Sequence, residues 1–100
     1  MYKTITNDEL QQKRENEALN ILDVREANEY TEFHIPGAEN LPLSEIEQEF
    51  EKLDKNKHYH VHCKGGKRSV KACDFLTEKG FNLTNIEGGI NAWKGEVTRG

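Results

Sequence analysis

Only two cysteines, Cys63 and Cys73, occur in the 100 residues, and that scarcity excludes a disulfide framework. The two are ten positions apart, with a turn and a helix expected between them, so a bridge joining them is not expected either. No Cys-x-x-Cys pair is present, which removes a thioredoxin-type dithiol. No apolar run approaches the roughly 18 to 20 residues of a membrane span. No signal peptide opens the chain: Met1-Tyr2-Lys3-Thr4 leads straight into patterned sequence. A reducing cytoplasm is therefore the expected setting, and it suits a working thiol. Positive charge is not in excess: 14 Lys and Arg stand against 18 Asp and Glu, a net charge of −4. Neither a nucleic-acid surface nor a membrane surface is expected on that balance. There is no internal repeat and no linker, and the length suits residues 1–100 as a single domain.

What is present is a regular alternation of strand and helix signals. Thr6 and Glu9 have capping-box spacing, with Ile5 and Leu10 placed to form a hydrophobic staple, so a short helix is predicted to about Arg14. Leu19 to Val24 is a compact apolar run that reads as a buried parallel strand. A short helix is expected over 26–32, then a loop at His34-Ile35-Pro36-Gly37-Ala38 and a short strand from Glu39 to Leu43. Ser44 with Glu47 predicts a second capping box and a helix to about Leu53. His58 to His62 reads as the next strand. A helix opening at Arg68 or Ser69 and ending at Gly80 carries Ser69, Ala72, Cys73 and Leu76 on one face. Asn82 to Glu87 is the last strand, Gly88-Gly89 a turn, and Ile90 to Trp93 a short helix; the tail from Gly95 is unpatterned. The alternation predicts an α/β layer fold with a mainly parallel sheet.

The chemistry concentrates in Cys63-Lys64-Gly65-Gly66-Lys67-Arg68-Ser69. Cys63 falls at the C-terminal end of a predicted inner strand, where open α/β folds place their sites. A free thiol is mostly protonated at neutral pH. Backbone N–H groups converging from a glycine-rich loop, a helix N-terminus and nearby cations all favour its thiolate, and this stretch offers all three. Lys64, Lys67, Arg68 and Lys71 form a local cation cluster on an acidic chain, which points to a small anion bound at one place. Cys63 is thus the candidate nucleophile, with Lys64, Gly65, Gly66, Lys67, Arg68 and Ser69 as its cradle. Cys73, in mid-helix, is expected to pack in the core. Asp23 and Arg25 lie at the same edge of a second strand. With Glu29 they form either a network supporting the site or an ordinary ion pair at a strand end. His58, His60 and His62 alternate along one strand face, but no second half-site is visible, so neither a closed metal site nor a cofactor is expected. A nucleotide-binding loop is excluded, because Gly66-Lys67-Arg68-Ser69 lacks the G-x-x-x-x-G-K-[ST] pattern.

The same loop resembles the active-site loop of rhodanese-like sulfurtransferases, typically Cys-Arg-x-Gly-x-Arg-Ser/Thr. Ile21-Leu22-Asp23-Val24-Arg25-Glu26 resembles the family's Asp-Val-Arg strand. Glu29-Tyr30 and the segment His34 to Pro42 resemble its most recognisable stretch, and Gly80-Phe81 with Gly88-Gly89-Ile90-Asn91-Ala92-Trp93 its closing pattern. The resemblance runs in order over residues 4–94. It implies a rhodanese-like fold: a five-stranded, mostly parallel sheet with helices on both faces. It also implies sulfur transfer from a small anionic donor, thiosulfate or a persulfide or polysulfide. The sulfur would pass through a Cys63 persulfide to cyanide, a low-molecular-weight thiol or a protein thiol. Lys64 departs from the usual arginine, and an ammonium lacks the bidentate fork that suits thiosulfate. Two other readings stand beside this one. The first is a Cys-based phosphatase or arsenate reductase on the same fold, whose loop places five residues between Cys and Arg where four intervene here. The second is a non-enzymatic sulfur-relay or regulatory module.

Overall fold

The computed structural model describes all of residues 1–100. Five strands form one sheet: β1 (Lys3–Ile5), β2 (Asn20–Asp23), β3 (Glu39–Asn40), β4 (His58–His62) and β5 (Asn82–Ile86). Four α-helices connect them: α1 (Asn7–Asn16), α2 (Ala27–Glu32), α3 (Ile46–Glu49, flanked by 3-10 turns) and α4 (Lys67–Glu78). The strand order is β1-β5-β4-β2-β3, and every pairing is parallel. β4 therefore lies at the centre, and the loop that follows it opens at the C-terminal edge of the sheet.

Side-chain alternation along the strands divides the core in two. Leu22, Val24, Tyr59, Val61, Cys63 and Leu83 face Ala72, Cys73 and Leu76 of α4. On the other face Ile21 and Ile86 meet Leu10 of α1, with Ile35, Ala38 and Ile90. α4 forms because Ser69, Ala72, Cys73 and Leu76 recur on one face, and all four are buried. Gly80, at φ 92°, ends the turn beyond it.

One strand was not anticipated, and two local expectations need correction. Lys3–Ile5 is an edge strand paired with β5, so Ile5 belongs to the sheet before Thr6 caps α1. Its three residues are too few to show a period of two, and the pairing comes entirely from β5. Ser44 does not cap a helix: its hydroxyl donates to Glu26 Oε1 at 2.7 Å, and the segment 43–52 breaks into a 3-10 turn, one α-turn and another 3-10 turn. The tail is tied down as well. Thr98 and His34 exchange both backbone hydrogen bonds at 2.8 Å, an antiparallel bridge outside the parallel sheet.

Candidate active site

Cys63 leaves β4 where the sheet ends, and the next three residues turn back to start α4. The turn requires Gly66, which adopts φ 108° as the N-cap of α4. A side chain there would also press on the backbone nitrogen of Gly88, at 3.3 Å. In this conformation the Gly66 N–H donates to Cys63 Sγ at 3.1 Å. The helix opens one residue earlier than the sequence suggested, at Lys67. Ser69, buried in its first turn, uses its hydroxyl hydrogen on the Gly66 carbonyl at 3.2 Å. The sulfur thus faces a backbone donor and the positive end of a helix of 12 residues. Cys63 is only 1% exposed.

The outer side of the loop is held by the turn after β5. Ile90 N–H donates to the Cys63 carbonyl at 2.8 Å and Asn91 N–H to the Lys64 carbonyl at 3.0 Å. His62 adds a third bond: its Nδ1 lies 3.1 Å from the Cys63 carbonyl, which only accepts, so Nδ1 carries the hydrogen. In a trans peptide the C=O of one residue and the N–H of the next point in opposite directions. Fixing the Cys63 and Lys64 carbonyls therefore fixes the Lys64 and Gly65 N–H groups away from the Gly88-Gly89 turn. The approach is close enough to require glycine. Gly89 has φ 57°, and a Cβ there would fall 2.4 Å from both loop carbonyl oxygens. The sequence announced this turn, but not that it braces the loop.

The cations divide into two kinds. Arg68 forks onto Glu29, Nη1 to Oε1 at 2.6 Å and Nη2 to Oε2 at 3.0 Å, joining α4 to α2. Hydrogen bonding from Arg68 is the largest reason the Glu29 carboxyl is pulled down to about 2, with the Glu26 backbone N–H assisting. Lys64 and Lys67 are exposed and form no ion pair, so their charge is available to an incoming anion.

Asp23 and Arg25 form a buried ion pair, with Arg25 Nη2 2.7 Å from Asp23 Oδ2. Arg25 Nε and the Arg25 backbone N–H also donate to that carboxylate. The remaining reach of the guanidinium goes to the Phe33 carbonyl at 2.7 Å. This pair locks the end of β2 to the end of α2, while Glu29, which the sequence grouped with it, turns to Arg68. Asp23 Oδ2 also lies 3.7 Å from His62 Nε2, beside the imidazole that holds the Cys63 carbonyl. Burial lowers the His62 pKa, more than the Asp23 charge raises it. His60 is buried with neither ring nitrogen bonded, and nothing in the structure explains a histidine there. His58 reaches Thr84 Oγ1 at 2.7 Å. No three His, Cys, Asp or Glu side chains converge on a metal position. Cys73 lies in the core, where burial pushes its thiol up to about 12.

The sheet is parallel and five-stranded, with a cysteine at the mouth of its central strand ringed by a glycine-bearing loop. The rhodanese-like domain model matches residues 6–96, and the chain belongs to that family. It is 42% identical over 96 residues to the putative sulfurtransferase YtwF of Bacillus subtilis, covering 95% of this chain and 93% of that one. It is 34% identical to the thiosulfate sulfurtransferase GlpE of Coxiella burnetii, covering 94% and 89% respectively. Among solved structures, a rhodanese-like domain protein from Staphylococcus aureus superposes with a TM-score of 0.90 at 36% identity, over 98% of both chains. No helix is long and apolar enough to cross a membrane.

Proposed function

We propose that this protein is a sulfurtransferase that carries sulfane sulfur as a persulfide on Cys63. The observation that carries the reading is the hydrogen bond from Gly66 N–H to Cys63 Sγ, 3.1 Å, within a loop whose other peptides are braced from outside. In the first half-reaction the thiolate attacks the outer sulfur of the donor. With thiosulfate, the S–S bond breaks, its electron pair leaves on sulfite, and a Cys63 persulfide remains. In the second, cyanide or a thiolate attacks the terminal sulfur, and the electron pair of the breaking bond returns to Cys63. The charge of the terminal sulfur is met by the N–H groups of Lys64, Gly65 and Gly66 and by the α4 N-terminus, as an oxyanion hole meets oxygen. Lys64 and Lys67 draw the anionic donor in. Ser69 and Arg68 hold the cradle, and Asp23 and Arg25 hold the strand end beside it. A persulfide or polysulfide suits Lys64 better than thiosulfate does, because neither needs a guanidinium fork. A reducing, cytoplasmic setting keeps Cys63 unpaired between turnovers.

The phosphatase alternative is disfavoured by Arg68. Oxyanion chemistry would need its fork for the substrate, and here Glu29 occupies both Nη groups. The expected outcome with thiosulfate or polysulfide and cyanide is thiocyanate formation, abolished by Cys63→Ser. Hydrolysis of phosphate esters without any sulfur transfer would overturn the reading.

A further inference from the structure

Asn7 begins α1, far along the chain from the loop, and is buried, with the residue 7% exposed. Its amide nitrogen donates to the Glu87 carbonyl at 2.9 Å and to the Gly89 carbonyl at 3.0 Å. Two acceptor-only partners require the NH2 end of the amide, and no shorter or acidic side chain supplies two such hydrogens. The position of Asn7 is itself fixed. Thr6 caps α1 reciprocally with Glu9, and the Glu87 N–H donates to the Ile5 carbonyl at 2.9 Å, joining the end of β1 to the same turn.

We propose that Asn7 is a positioning residue for Cys63. Its two hydrogen bonds set the 87–89 turn. That turn delivers the Ile90 and Asn91 N–H groups to the Cys63 and Lys64 carbonyls, at 2.8 and 3.0 Å. Those carbonyls in turn orient the Lys64 and Gly65 N–H groups. Gly89 transmits the position without slack, since a Cβ would already overlap both loop carbonyl oxygens. Loss of the Asn7 amide frees the turn to shift, and each loop peptide can then rotate its N–H away from the sulfur. The link to catalysis rests on the sulfurtransferase reading; the link to Cys63 geometry does not.

The test compares Asn7→Ala and Asn7→Asp with the wild-type protein, each confirmed folded by circular dichroism at the assay temperature. Arg14→Ala serves as a control. It breaks another anchor of α1, from Arg14 Nη2 to the Pro36 carbonyl at 3.0 Å, and the Arg14 contact with the Trp93 ring, but removes neither of the hydrogen bonds that Asn7 makes to the turn. Two quantities are read: the rate of Cys63 alkylation by iodoacetamide at neutral pH, and the lifetime of the Cys63 persulfide by mass spectrometry. Both are expected to fall on the order of tenfold in the Asn7 variants, as donors around the sulfur go out of line, and to change less than about twofold in Arg14→Ala. The Asp variant, which turns a carboxylate toward two carbonyls, is expected to be the worse; if it does not fold, Asn7→Ala alone decides. Rates within about twofold of wild type in a folded Asn7 variant, or an equal loss in Arg14→Ala, overturn the proposal. If no donor loads wild-type Cys63, the sulfurtransferase reading fails, while the alkylation rates still decide the role of Asn7.

Discussion

Arg68 lies in the first turn of the helix that follows Cys63, yet directs both of its Nη groups to Glu29, so its first effect is to fasten α4 to α2. Glu29 is the group whose titration reports this. In the folded protein its carboxyl is held at about 2, against an ordinary 4.5. The unfolded chain therefore takes up the proton first as the pH falls. The stabilisation is complete above about pH 4.5 and is lost between there and about pH 2. Glu29→Gln still accepts the Glu26 N–H but has no charge to lose. Its urea midpoint is expected to fall less steeply than that of the wild type over this window; parallel curves would show that the pair contributes nothing. His60 tests the opposite case of a buried base without a partner. Burial lowers it to about 4 from 6.5, so the unfolded state binds the proton first between those values, and stability falls as the pH drops from about 6.5 to about 4. His60→Leu removes two unbonded ring nitrogens, each costing roughly 1 to 3 kcal/mol when buried. The variant is expected to gain more in thermal midpoint at pH 5 than at pH 7.5. An equal gain at both would show that proton uptake by the unfolded chain contributes nothing.

At the level of elements, the site is a contact between two turns that the chain separates widely. The Cys63 loop was legible in the sequence because its own residues are local: a cysteine after a strand pattern, two glycines, then a helix signal. The sheet edge where Asp23 and Arg25 lie was legible for the same reason. What the sequence did not reveal depends on distant partners. Arg68 and Glu29 are 39 residues apart, and nothing local chose Glu29's partner over Arg25. Gly88-Gly89 showed as a turn from its composition, but its bracing role follows from strand order, which sets β5 beside β4. The capping box expected at Ser44 failed because Glu26, brought close by the fold, offered its hydroxyl a carboxylate. Gly89→Ala is the sharpest test of the bracing contact. The residue sits at φ 57°, ψ −160°, a region essentially reserved for glycine, and a methyl group would overlap two carbonyl oxygens. A loss of roughly 3 kcal/mol or more in stability is expected by urea denaturation, with at least about a hundredfold loss of sulfur transfer as the loop donors shift. Unchanged activity would separate the turn from the site.

Across the whole molecule, the parallel sheet brings four separate stretches to one edge: the ends of β2 and β4, the start of α4 and the turn after β5. The sequence indicated this architecture because parallel strands buried on both faces leave compact, mostly apolar runs, as at 19–24, and because the helices between them keep their own period. β1 escaped notice since an edge strand of three residues carries no such run. On the proposed function, this edge holds one sulfur on Cys63. The most direct measurement is mass spectrometry of the intact protein after incubation with thiosulfate, and separately with polysulfide, followed by peptide mapping. One added sulfur is expected on Cys63, none on Cys73, and none anywhere in Cys63→Ser; absence of the adduct with every sulfane donor, or its appearance on Cys73 instead, would contradict the claim.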